Sequence, residues 1–216
     1  MSFTKVKTAG EIGAMRTSGR MLAVVLEYLK QKLEVGMNTK ELAKMAAQEL
    51  KKLGGEPAFL GYQGFPDVIC ISLNDEVVHG IPSPSKIVAQ GDIVSLDFGV
   101  TYLGMITDGA VSMIAGHAKS EDAKLVKVTR AALEVGINVV QDGARTGDIG
   151  AAVQAVLMKY HYGIVRDLVG HGVGHQLHED PNIPNYGFRG TGDRLAAGMT
   201  IAIEPMATLG SEAVSI

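Results

Sequence analysis

Gly91-Asp92-Ile93-Val94-Ser95-Leu96-Asp97 returns 107 residues on as Gly198-Met199-Thr200-Ile201-Ala202-Ile203-Glu204, with a glycine opening and a carboxylate closing each apolar run. A second stretch returns at the same offset: Gly36-Met37-Asn38-Thr39-Lys40-Glu41-Leu42 becomes Gly143-Ala144-Arg145-Thr146-Gly147-Asp148-Ile149. Either match alone is short. Two ungapped matches at one offset indicate a duplicated unit. Each half then puts an acid at the end of a strand, the two acids facing one another, which invites a metal site between the halves.

Working outward from these repeats, the same order of elements appears twice. Ala9 to Leu33 carries an apolar stripe at helical spacing through Ile12, Met15, Leu22, Val25, Leu26 and Leu29. Gly36 stops it, and Asn38 or Thr39 caps a second helix that runs to Gly54-Gly55. Val68 to Leu73 and Ile93 to Phe98 are short, β-branched and bounded by turn formers, so they read as strands. Val100 to Ile114 forms the far side of a hairpin that turns at Gly104. In the second half, Ala123 to Val140 is helical, and Thr146 or Asp148 caps a helix to about Tyr160 that Gly163 ends. Strands are expected at Ile164 to Val169 and Thr200 to Thr208. Long helices with antiparallel strands give an α+β fold, the helices packed on one face of the sheet. No linker divides the halves, so the reading is a single domain over residues 1–216, with halves at about 9–116 and 119–216.

Composition narrows the classes. With 216 residues, 46% of them hydrophobic, the chain can bury a full core. Net charge is −3, with Lys and Arg scattered, which leaves no footprint for nucleic acid. Met1-Ser2-Phe3-Thr4-Lys5-Val6-Lys7 lacks the apolar core of a signal peptide, and no apolar stretch is long enough to span a bilayer. The single cysteine, Cys70, excludes an internal disulfide and fits a reducing compartment. A cytoplasmic protein is expected.

The chemistry centres on Asp97 and Asp108, since aspartate is depleted in strands and both lie in an otherwise apolar hairpin. If the turn is at Leu103-Gly104, Asp97 faces Ala110 and Asp108 is its diagonal neighbour on the same face. That diagonal is about 7–8 Å, which two carboxylates can close around one or two cations. A register one residue different would separate them. Packed like charges need a counter-charge, which a divalent metal supplies. Carboxylates with an imidazole suit Mn, Fe(II) or Co. The imidazole comes from Gly170-His171-Gly172-Val173-Gly174-His175-Gln176-Leu177-His178-Glu179-Asp180-Pro181, where glycines flank His171 closely. His175, His117 and His161 read as surface histidines. Cys70, between Ile69 and Ile71, reads as a small buried hydrophobe. A zincin motif, a serine nucleophile elbow, a P-loop and a Cys-x-x-Cys pair are all missing from the sequence.

These residues resemble the type I methionine aminopeptidases, metallopeptidases of the duplicated pita-bread fold. The likeness runs from about Lys5 to the end. It is carried by Asn74 through Pro82, by Gly91 through Asp97 with Asp108 eleven residues later, by Gly170 through Pro181, and by Gly198 through Pro205. The resemblance implies removal of the N-terminal methionine from nascent proteins and peptides by an enzyme holding two divalent ions (Co, Mn, Fe(II) or Zn). It implies Asp97, Asp108, His171 and Glu204 as metal ligands, with Asp108 bridging, and His79 and His178 as catalytic residues bonding the scissile peptide. Tyr62, Phe65 and Cys70 match the pocket for the methionine side chain, with Phe59 and Leu177 at further, variable pocket positions. The implied partners are nascent-chain N-termini close to the ribosome, met by a monomer with no membrane or direct nucleic-acid contact.

One departure stands out. The family uses a fifth ligand, a second glutamate on the strand after Glu204, and a pocket tryptophan in the same stretch. The only later acid here is Glu212, in Gly210-Ser211-Glu212-Ala213, and the repeat of Asp108 falls on Ser215. The expectation is therefore a fragment lacking its C-terminal strands. Two alternatives stand beside the main reading: an Xaa-Pro peptidase of the same fold, and a non-enzymatic binding module.

Overall fold

The computed structural model describes residues 6–215. Their backbone groups into two compact units. The first comprises Ala9–Asp122 with the detached tripeptide His175–Leu177, and the second comprises the segment ending at Thr8, Ala123–Gly174 and the chain from His178 on.

In the first unit, α1 (Ala9–Lys32) buries Met15, Ser18, Leu22, Val25, Leu26 and Leu29 along one stripe. α2 (Thr39–Leu53) starts at a capping box: Glu41 N–H donates to Asn38 Oδ1 at 2.9 Å, and Asn38 N–H donates back to Glu41 Oε2 at 3.3 Å. Four antiparallel strands follow, β1 (Glu56–Pro57), β2 (Ile69–Leu73), β3 (Ile93–Tyr102) and β4 (Met105–Ile114), with β3 paired to each of the others. Strand alternation divides the sheet. Val94, Leu96, Phe98 and Val100 of β3, with Ile69 and Ile71 of β2, join the buried core that α1 and α2 also line. Burying each such side chain contributes about 1.5–3 kcal/mol, which fixes the register and hence the residues of the opposite face.

The second unit opens with α3 (Ser120–Asn138), which starts in the last residues of the first. α4 (Thr146–Met158), β5 (Gly163–Ile164), β6 (Gly170–Gly172), β7 (Glu179–Ile183), β8 (Ile201–Ala202) and β9 (Ala207–Thr208) complete it. β6 lies between β7 and β8, and β5 pairs with β9. Val128, Ala132, Ile149, Val153, Leu157 and Ile183 form its core.

The second half departs from the expected elements in four places. Ile164–Val169 is strand only at Ile164, because the exposed pair Arg166-Asp167 interrupts the alternation and β6 begins at Gly170. Thr200–Thr208 divides into β8 and β9 around Pro205, which has no N–H to give to a ladder. α4 is capped by Arg145 rather than Thr146 or Asp148. Asp148 serves from inside the helix, its Oδ2 accepting from Arg145 N–H at 2.8 Å. β7 lies where the sequence carries no strand signal. Among the described residues, no helix is long and apolar enough to cross a membrane.

The duplication is visible in the backbone of each unit. Gly36 N–H donates to Val88 O and Thr39 N–H to Lys86 O. In the second unit, at the 107-residue offset, Gly143 donates to Leu195 and Thr146 to Asp193. The isolated bridges Asn38–Ile87 and Arg145–Arg194 are offset alike. Gly91 and Gly198 share a positive φ, +89° and +91°.

Candidate functional site

The face of the first unit's sheet turned from the helices carries its polar residues. Ser95 meets Ser112 across the hairpin at 2.7 Å. One step along, Cys70, Asp97 and Ala110 stand side by side on β2, β3 and β4. Gly99 pairs with Asp108, so Asp108 lies diagonal to Asp97 on that face, in the register expected from a Leu103-Gly104 turn. Both carboxylates are half-buried. Burial pushes the Cys70 thiol up, and the negative charges of Asp97, Asp108 and Asp67 push it further, so it stays a neutral thiol at physiological pH.

Cys70 also floors an apolar cluster. Phe59, Cys70 and Leu177 are buried together, with Tyr62, Phe65, Ala58 and Ile106 packed against them. All three expected pocket residues and both variable ones are thus brought together beside the two aspartates. His79 sits above β2 in a strained conformation, φ +59°, which non-glycine residues rarely adopt. Its neighbour Gly80 is held by β2: Gly80 N–H donates to Ser72 Oγ, and Gly80 O accepts from Ile71 N–H. This anchorage leaves the His79 side chain exposed.

In the second unit, His171 is the middle residue of β6, between Asn182 of β7 and Ala202 of β8. A Cβ at Gly170 would collide with the Ala202 carbonyl and one at Gly172 with the Asp180 carbonyl, so no larger residue fits on either side. The pairing of β6 with β7 shifts register between His171 and Gly172, while its pairing with β8 runs regularly through both residues. His171 Nδ1 lies 2.8 Å from Gly172 O, an acceptor only, so Nδ1 carries a hydrogen and Nε2 is the nitrogen left to face a ligand, with a lone pair when the ring is neutral. That Nε2 is 3.1 Å from Glu204 Oε1. Two lone pairs at this distance repel each other unless a proton or a cation stands against both. The buried imidazole, fixed by a backbone carbonyl behind it, therefore fits a divalent cation. The His178 ring lies tilted against it, centroids 4.2 Å apart and planes at 55°, with the residue exposed. Glu212, the later acid, pairs with Arg166 at 3.3 Å on the surface of the same unit.

Two supports have no counterpart in the sequence reading. Asn185, fully buried, donates from Nδ2 to Glu204 O at 2.7 Å and fixes the backbone that carries the carboxylate. Lys7 and Glu179 form a buried ion pair next to His178. Neither has a local signal: Asn185 reads as a turn residue in Pro184-Asn185-Tyr186-Gly187, and Lys7 is 172 residues from its partner.

Comparisons with known proteins converge on one group. The sequence pattern of metallopeptidase family M24 matches residues 13–216. The chain is 43% identical to methionine aminopeptidase 1 of Bacillus subtilis strain 168, over 96% of this chain and 84% of that protein. It is 41% identical to methionine aminopeptidase of Clostridium acetobutylicum, over 95% and 82%. The crystal structure of methionine aminopeptidase from Thermotoga maritima matches with a TM-score of 0.97 at 41% identity, covering 99% of this chain and 86% of that one. Prolidase from Pyrococcus furiosus matches with a TM-score of 0.80 over 94% of this chain and 57% of its own, but at 23% identity it shares the fold alone.

Proposed function

The chain belongs to metallopeptidase family M24, among its methionine aminopeptidases, and from that premise we propose that the groups described above hydrolyse the first peptide bond of chains that begin with methionine. The fold is the pita-bread fold, and the enzyme is a metal-dependent aminopeptidase of peptide substrates. The two compact units are taken as halves of one catalytic domain.

The ligands in this reading are Asp97, Asp108, His171 and Glu204, holding two divalent ions drawn from Co, Mn, Fe(II) or Zn. The observation that carries it is the His171 ring, protonated at Nδ1 by its bond to Gly172 O, with Nε2 at 3.1 Å from a carboxylate oxygen. When bound, divalent ions supply Lewis acidity, polarising a peptide carbonyl and making water a nucleophile near neutral pH.

The chain's own residues do the rest. Tyr62, Phe65 and Cys70, with Phe59 and Leu177, enclose the flexible thioether of the substrate's first side chain in an apolar pocket. Cys70 remains protonated there, and so adds no competing charge beside Asp97. His178, exposed beside His171, donates a hydrogen bond to the oxygen that gains charge as the carbonyl is attacked. His79, held in its strained pose by Gly80, delivers a proton toward the leaving amide. We further propose that the substrates are nascent-chain N-termini near the ribosome and that the enzyme is a cytoplasmic monomer. The single cysteine fits a reducing compartment, and the scattered charges leave no footprint for direct nucleic-acid binding.

The test is hydrolysis of Met-Ala-Ser by this chain with added Mn or Co, beside an Xaa-Pro peptide and an EDTA-treated control. Cleavage of Met-Ala-Ser that EDTA abolishes and His171→Ala lowers by about 100-fold or more supports the reading. Equal rates after chelation, or preference for the Xaa-Pro peptide, would overturn it.

A further inference from the structure

Between β6 and β7 the chain makes a short excursion. His175, Gln176 and Leu177 pack as part of the first unit, although the residues on either side of them, Gly174 and His178, belong to the second. Gly174, at φ +148°, takes a conformation that other residues rarely adopt, which lets the chain leave β6 here. Two of the contacts that hold the tripeptide bear on the pocket. Leu177, 4% exposed, is buried with Phe59 and Cys70 in the apolar cluster. Two residues earlier, His175 Nε2 donates to Glu11 Oε1 at 2.7 Å. Glu11 lies in the first turn of α1, where the helix N-terminus favours a carboxylate, and both side chains are only about one-third exposed. His175 is thus a half-buried, bonded side chain rather than the surface histidine its polar loop suggests.

We infer that the Glu11–His175 hydrogen bond is the anchor that sets the Leu177 wall of the methionine pocket, making Glu11 and His175 positioning residues for substrate selection. This deepens the aminopeptidase reading and rests on it. Leu177 is one short apolar side chain on a loop. Its burial alone fixes how deep it sits, and the bond two residues away fixes the direction from which it enters. Releasing the bond lets the wall shift, so the pocket loses fit for methionine more than it loses chemistry. Neither anchoring residue contacts the reacting peptide in this scheme.

The experiment compares wild type, Glu11→Ala, Glu11→Gln and His175→Ala with Mn added, using Met-Ala-Ser and Leu-Ala-Ser. In parallel, hydrogen exchange is followed at the Gln176 and Leu177 amides. Glu11→Ala and His175→Ala are expected to raise KM for Met-Ala-Ser roughly three- to tenfold with kcat within about twofold, the effect of one lost hydrogen bond on binding. Preference for methionine over leucine should narrow, and exchange at the two amides should quicken. Glu11→Gln should restore KM, because its Oε1 accepts from the same Nε2–H. An unchanged KM with unchanged exchange in Glu11→Ala would overturn the inference, as would Glu11→Gln behaving like Glu11→Ala. If the wild type cleaves neither peptide, the aminopeptidase reading falls. The exchange rates still decide whether Glu11 anchors the tripeptide.

Discussion

Lys7 and Glu179 bury each other's charge, both side chains 2% exposed, with their termini in ion-pair contact. Lys7 is also tied through its backbone, its N–H donating to Gly198 O at 2.8 Å. Glu179 opens β7, pairs across to Gly172, and directly follows His178. The pair thus supports the stretch of β6 and β7 from which His171 and His178 project. Removing one partner strands a buried charge, so Lys7→Ala should cost about 3–5 kcal/mol, while Lys7→Met combined with Glu179→Leu should cost far less. Urea unfolding of the two variants checks this, and a single-variant loss under about 1 kcal/mol would show the pair to be dispensable. Asn185 acts at the same scale through the Glu204 carbonyl. Both partnerships are non-local. A sequence shows the residue types, but nothing near Lys7 or Asn185 marks what each will meet.

The β3–β4 hairpin shows what is legible at the scale of elements. Gly104 announces the turn, the alternation of Val94, Leu96, Phe98 and Val100 fixes the buried face, and together they put Asp97 and Asp108 on one face from the sequence alone. β7 is illegible because Glu179-Asp180-Pro181-Asn182-Ile183 is built of turn formers and yet alternates buried and exposed. Its placement comes from pairing with β6, not from propensity. β8 and β9 are two residues each, too short for a periodicity to register. The hairpin turn also stores a cost. Leu103 is held at φ +49° and Gly104 at +74°, the signs of a two-residue turn that favours Asn-Gly, and Leu103 is 78% exposed. Since its side chain packs little and its backbone sits in the left-handed region, Leu103→Asn should stabilise the chain by about 1 kcal/mol. Denaturant midpoints read this, and a loss of stability would mean Leu103 contributes packing that its exposure conceals.

For the whole molecule, the 107-residue offset organises backbone bonds, glycine conformations and the two carboxylate-bearing segments alike. The repeat predicts this likeness because a backbone turn needs only a few residues, whereas the strands between the turns differ in length. The same chain gathers Asp97 and Asp108, acids that repel one another, on one sheet face, and sets the Glu204 carboxylate 3.1 Å from His171 Nε2. A divalent ion that binds these groups only in the folded state must therefore raise stability, by about 2.7 kcal/mol at 100 times its Kd. For a chain of 216 residues that is roughly 5–10 °C in Tm. Mn titrated into EDTA-stripped protein should give a saturable rise of that size, and His171→Ala should remove most of it while starting from a folded state. An equal rise in both proteins would place the cation elsewhere on the molecule, because a site that uses His171 Nε2 loses one of its ligands with the ring.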